Sequence, residues 1–222
     1  MLSPSVRSLV LLVEGEPLTF VAGQWINLYV PTPAGELKRA YSIASGPADD
    51  TLELAVTLVR DGAASPTLHA LTEGTRLEID GPHGFFTRSE AEQREPSLFV
   101  ATGTGLSPFR SMLREARTRP EHAPITLLFG CRTQADILYG DELMALSAAD
   151  PAFRLEVSLS RPGAGWQGRT GYVQHHLAEL VRELHKPAVY ICGLTRMVSE
   201  TRALLKGELG YDRKRIHSER YD

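Results

Sequence analysis

Apolar and polar positions change rhythm once along this chain. Up to about residue 90 the apolar runs are short and bounded by turn residues. Leu52, Leu54, Val56 and Leu58 alternate with Glu53, Ala55 and Thr57, the period of two that a strand takes when one face is buried. Residues 8–13, 24–30, 39–44 and 76–79 read as further strands, with turn signals at 14–17, 31–35, 46–50 and 81–84. Short strands at this spacing predict a small antiparallel β-barrel or sandwich. After the polar stretch 89–96, strand-like runs (97–101, 125–129, 153–159, 188–192) alternate with helical patterns (106–118, 141–147, 172–184, 195–207). Val173, Leu177, Leu180, Val181 and Leu184 keep helical spacing. A strand–helix alternation predicts a doubly wound parallel α/β sheet. The expected organisation is therefore two domains, 1–92 and 93–222, and a length of 222 residues suits two domains of roughly 100 each.

Composition narrows the classes. Apolar residues make up 42% of the chain, and no run approaches the roughly 20 apolar residues of a membrane span. Residues 1–13 carry no small-residue cleavage site, so they do not read as a signal peptide. Two cysteines, Cys131 and Cys192, are too few for an iron–sulfur cluster or a disulfide framework. A reducing, cytoplasmic setting without membrane association is expected. Residues 1–92 hold 6 Lys+Arg against 12 Asp+Glu, a net of −6, and residues 93–222 hold 18 against 15, a net of +3. The asymmetry hints at two modules and at a partner that prefers one side. Basic residues are not interleaved with aromatics, which argues against nucleic acid. The adjacent pair His175–His176 points about 100° apart on a helix, and no metal site is expected.

Two motifs carry candidate chemistry. Val100-Ala-Thr-Gly-Thr-Gly-Leu-Ser-Pro108 runs from a buried strand through Thr104 and Gly105 into a helix. Glycines there let backbone approach a phosphate, and a helix N-terminus favours an anion. The same pattern is also that of a tight strand-to-helix turn. Arg39-Ala40-Tyr41-Ser42 lies on a strand, with Arg39 and Tyr41 on one face and Ser42 on the other. A guanidinium can clamp a phosphate and a phenol ring can stack on a flat heterocycle. Read alone, this is equally a strand with one exposed Arg and a half-buried Tyr.

Taken in order, Arg39-Ala-Tyr-Ser42, Gly81-Pro-His-Gly84, Ala101-Thr-Gly-Thr-Gly-Leu-Ser-Pro-Phe-Arg-Ser111 and Tyr190-Ile-Cys-Gly193 resemble the plant-type ferredoxin–NADP reductase family over nearly the whole chain. The resemblance implies an FAD-binding barrel, FMN being the lesser alternative, followed by an NAD(P)-binding domain. It implies that Arg39 holds the flavin phosphate, that Tyr41 stacks on the isoalloxazine and that Ser42 sits by its N5. Gly62-Ala-Ala64-Ser65 resembles a second flavin-phosphate element, although Pro66 removes one N–H donor and Ser65 also reads as a plain helix cap. Glu219 and Tyr221 match the Glu and terminal aromatic of the family, the aromatic covering the flavin face where nicotinamide arrives. Asp222 departs from forms ending in Tyr. Cys192, otherwise a small core residue, is placed by the family beside the nicotinamide. Ser42, Cys192, Glu219 and Tyr221 would then surround the hydride path.

Ser160, Arg161 and Tyr172 resemble the residues that grip the 2′-phosphate and adenine of NADPH. A family lysine is replaced by Thr170, with Arg169 adjacent; NADPH is expected ahead of NADH. For the one-electron partner, ferredoxin or flavodoxin, Arg110, Arg114 and Arg117 share a helical face, and Arg213-Lys-Arg215 adds charge. That face is either a docking patch for an acidic protein or an ordinary solvated one. The family's first barrel strand looks shortened or missing. A monomer is expected. A reductase component of an oxygenase, a flavin reductase, and a non-catalytic flavin-binding subunit of a larger complex remain alternatives.

Overall fold

The computed structural model describes residues 1–119 and 121–221; the expectation attached to Asp222 lies outside the described residues. Contacts group Met1–Thr87 with Ser107–Glu115 as a first unit, and Arg88–Leu106 with Ala116–Asp222 as a second.

The first unit is built of antiparallel sheets in a barrel-like arrangement. Strands β3 (Gly35–Ser42), β2 (Trp25–Thr32) and β5 (Glu78–His83) form one sheet. Strands β1 (Val6–Leu11) and β4 (Leu52–Thr57) form another, and the bridge Ile43–Leu54 links them. Alternation fixes the faces. Ile26, Leu28 and Val30 are buried with Leu54, Val56 and Leu68 of helix α1 (Ser65–Ala70). The intervening Asn27 and Tyr29 donate to Asp80 at 3.0 and 2.7 Å. Lys38 approaches the same carboxylate to 2.6 Å and, ahead of the other partners, holds it far below the usual carboxylate range.

One expectation changes here. The segment 81–84, read as a turn, belongs mostly to β5, whose His83 pairs with Trp25 across a register shift. The chain passes from the first unit to the second at Arg88. Arg88 is buried in the second unit, donating to Glu92 O (2.9 Å) and Ser97 Oγ (3.0 Å) and lying over the Phe99 and Tyr190 rings. Helix α2 (Ser107–Ala116) instead packs with the first unit, where Phe109 meets Phe86 edge-on at 5.7 Å.

The second unit is a six-stranded sheet in the order β11-β10-β6-β7-β8-β9, parallel throughout. Its strands are β6 (Ser97–Thr102), β7 (Ile125–Cys131), β8 (Phe153–Leu159), β9 (Arg169–Thr170), β10 (Ala188–Leu194) and β11 (Ile216–Tyr221). Helix α3 is Gly140–Ala149. Helices α4 (Gln174–Glu183) and α5 (Thr195–Gly207) bury Leu177, Leu180, Val181, Val198 and Leu205 against Leu98, Val100, Val189 and Ile191 of the sheet. At roughly 1.5–3 kcal/mol per fully buried aliphatic side chain, this layer is the main stabilising contribution on that face. No helix among the described residues is long and apolar enough to cross a membrane.

Candidate functional site

The chain leaves β6 for β7, β8 and β9 on one side, then returns to β10 and β11 on the other. The carboxyl ends of β6 and β10 thus flank the topological switch point, where open α/β sheets bind ligands. Backbone packs on backbone there. A Cβ on Gly105 would fall on the Cys192 carbonyl and 2.6 Å from Gly193 Cα. Gly193, at φ +141°, leaves no room for a Cβ beside Thr102, whose carbonyl oxygen would lie 2.8 Å away. Leu194 N donates to Thr102 Oγ1 at 3.3 Å. Thr104 and Gly105 lie in a short 3₁₀ turn, Gly103–Leu106, between β6 and α2.

The sheet's far end gathers a second group. Ser160 N donates to Cys131 O (3.0 Å) and Arg161 N to Arg132 O (2.8 Å), so β8 continues past its last residue alongside β7. Gly171 N donates to Leu159 O at 2.8 Å, which brings Tyr172 to the same sheet end, 63% exposed. Arg132 and Arg161 are exposed and form no ion pair among the described residues. Arg132 was missed in the sequence; its one signal was a basic residue just beyond the strand 125–129. Arg169 is not a stand-in for the replaced lysine. Its guanidinium holds Glu156 at 2.7 Å and Glu179 at 2.9 Å, and these carboxylates keep it firmly charged.

Cys192 and Glu219 are register partners on β10 and β11, as are Leu194 and Tyr221. Burial, then the neighbouring Glu219, pushes the Cys192 thiol well above its ordinary range, so it is no thiolate nucleophile. Burial raises the Glu219 carboxyl to about 7, and its Oε2 is buried without a hydrogen-bond partner among the described residues. An orphaned buried acceptor beside the switch point suits a ligand that brings a donor, as a carboxamide does. The raised acid has a stability consequence. The folded state keeps the proton to about pH 7, whereas an unfolded Glu loses it near 4.5. Stability attributable to this group is therefore present at low pH and lost as pH rises towards 7. Thermal melts between pH 5 and 8 should fall more steeply for the native protein than for Glu219→Gln; parallel slopes would contradict the assignment.

In the first unit, Tyr41 is half-buried against the barrel core and Arg39 is exposed, its NH1 donating to Lys38 O at 2.8 Å. Both pair with inward-facing residues of β2, Ile26 and Leu28, whereas Ser42 and Ala40 pair with the outward-facing Trp25 and Asn27. An exposed guanidinium, a partly open phenol ring and a hydroxyl along one strand are compatible with a flavin phosphate and ring. Ser65 does not cap α1. The cap position is Ala64, and Ser65 Oγ instead accepts from Val59 N (2.9 Å) and donates to Val59 O (3.1 Å), closing the loop that contains Gly62.

The arginine face on α2 is corrected. Arg110 is buried and holds Glu53 and the Ala44 carbonyl, at 2.8 and 2.9 Å. Arg114 holds Asp49 at 2.8 Å, and Arg117 alone is exposed. On α2, Arg110 and Arg114 are committed to carboxylates of their own unit, and Arg117 lies beyond the helix end.

Residues 1–87 match the oxidoreductase FAD-binding domain family and residues 99–203 the oxidoreductase NAD-binding domain family. The chain is 52% identical, over 100% of its own length and 93% of the other's, to ferredoxin–NADP reductase B of Sorangium cellulosum. It belongs to the ferredoxin–NADP reductase family. Two further proteins are similar over nearly all of this chain. Phenol hydroxylase P5 protein of Acinetobacter pittii is 34% identical over 99% of this chain, which spans 62% of that protein. The cytochrome P450 reductase structure from Amycolatopsis superposes with a TM-score of 0.86 at 28% identity, covering 99% of this chain and 66% of that one. An FAD-binding and an NAD(P)-binding module make the reductase an NAD(P)H oxidoreductase.

Proposed function

We propose that this chain takes hydride from NADPH and passes single electrons, through FAD, to ferredoxin or flavodoxin. What supports this most is end-to-end similarity to a ferredoxin–NADP reductase, with both domain families in one chain. Flavin, when bound, supplies the exchange between two-electron and one-electron chemistry. On this reading residues 1–92 serve the flavin and 93–222 the nucleotide. Arg39, with the loop of Gly62, Ala64 and Ser65, would hold the flavin phosphate, Tyr41 the ring and Ser42 its N5 edge. Cys192, Glu219 and Tyr221 would border the nicotinamide, with Thr104 and Gly105 beside the pyrophosphate. Cys192 acts by shape, since its thiol stays protonated. Ser160, Arg161 and Tyr172 would take the 2′-phosphate and adenine, with Arg132 next to Arg161.

The test is anaerobic reduction of the bound flavin by NADPH, followed by reduction of ferredoxin or flavodoxin. A purified protein that cannot be loaded with flavin would end the reading. Arg161→Ala should lower kcat/KM for NADPH about 10- to 100-fold, as expected for one charge-assisted contact. An unchanged preference for NADPH over NADH would move the phosphate site elsewhere. A second reading, an oxygenase reductase component, is favoured by similarity to the phenol hydroxylase protein. It predicts faster transfer to an oxygenase partner than to ferredoxin.

A further inference from the structure

The 2′-phosphate reading leaves a gap in charge. The family's lysine position is Thr170, and Arg169 is spent on Glu156 and Glu179. One ring nearby is uncommitted. His175, in the first turn of α4, is exposed and neither ring nitrogen has a hydrogen-bond partner among the described residues. Its ring stands edge-on to Tyr172 with centroids 5.9 Å apart. Its Nδ1 lies 2.8 Å from where a Gly171 Cβ would be, so a side chain at 171 would push the imidazole off the sheet end. Gly171 is the residue bonded to Leu159, next to Ser160 and Arg161. The adjacent His176 differs in every respect: it is tied to Ser158 Oγ (3.1 Å) and Thr170 O (3.0 Å), and burial lowers its affinity for a proton.

We propose that His175 is a specificity-determining residue that binds the 2′-phosphate of NADPH as an imidazolium, in place of the missing lysine. The inference rests on the nucleotide site proposed above. It has a consequence that a lysine would not produce. An imidazole changes charge between about pH 5 and 8, so preference for NADPH over NADH should decline as pH rises through that range. Tyr172 faces His175 from the loop before α4, and the His176 ring lies 6.5 Å away on the helix itself. Arg169 and Glu179 form a closed pair beyond His176, and on α5 Arg196 and Glu200 pair with each other, Glu200 also taking Gln174.

The experiment measures kcat/KM for NADPH and for NADH between pH 6 and 9 in the FAD-loaded protein, with binding of 2′,5′-ADP and 5′-AMP as a readout free of turnover. His175→Gln should lower the NADPH/NADH ratio at pH 6.5 about tenfold, the size of one charge-assisted hydrogen bond, and flatten its pH profile. His175→Lys should restore the ratio and hold it to pH 9. A ratio and profile unchanged in His175→Gln would overturn the proposal. The underlying site is judged separately: if Arg161→Ala leaves 2′,5′-ADP binding intact, the site reading fails whatever His175 does. If Arg161→Ala weakens binding but His175→Gln does not, only the role of His175 fails.

Discussion

Gly193→Ala is expected to cost about 3 kcal/mol or more of folding stability, the sum of left-handed backbone strain and overpacking. Gly193 sits at φ +141°, and its Cβ would lie 2.8 Å from Thr102 O and 3.1 Å from Thr102 N. Those are main-chain atoms of a central strand, so no side chain can swing aside to make room. Relief would require β6 and β10 to part at the switch point, taking Gly105 with them, since Gly105 packs on the Cys192 carbonyl from the other direction. Gly103→Ala is the control. Its φ is +55° but nothing lies within 4 Å of the added Cβ, so about 1–2 kcal/mol of left-handed cost is all that is expected. Urea midpoints for the two variants check this. Equal midpoints for Gly193→Ala and the native protein would show that the strand ends are not packed as described.

Arg110→Met is expected to cost about 3–5 kcal/mol, because it leaves a largely buried carboxylate without its cation. Glu53 is only 17% exposed at its side chain and also accepts from Ser8 Oγ at 2.6 Å. The carbonyl of Ala44 loses a donor at the same time. The double variant Arg110→Met/Glu53→Leu should recover most of the loss, since a well-packed apolar pair can replace a buried ion pair at little cost. A double-mutant cycle by urea unfolding measures the coupling. Additive losses would mean that the pair is solvated and weak.

That helix also shows what periodicity can and cannot tell. Arg110 and Arg114, one turn apart on α2, share a face as their spacing predicted, whereas Arg117 lies beyond the helix end; spacing is silent on where a face points. Asp49 and Glu53 decide that, and they lie some sixty residues earlier in the chain. Strands with one apolar face were legible: β8 spans 153–159 as expected, and β4 spans most of 52–59. Strand β11 was not, because Ile216-His-Ser-Glu-Arg-Tyr221 lacks the apolar run by which central strands announce themselves; it pairs with β10 alone. Two-residue β9 is too short for any periodicity. For the nucleotide site, residue types pointed to Ser160, Arg161 and Tyr172. They could not reveal that Arg169 is neutralised by Glu156 and Glu179, nor that Arg132 pairs with Arg161 through the backbone. Those facts are set by three-dimensional neighbours.

The barrel is written in two stretches of sequence, Met1–Thr87 and Ser107–Glu115, with the first strand of the parallel sheet between them. Modular reductases exchanged at the inter-domain linker would therefore receive a barrel from one parent and its helix from the other. Arg110 with Glu53 and Arg114 with Asp49 form a lock across that junction. Parents that differ at these four positions should give poor chimaeras when joined at the linker.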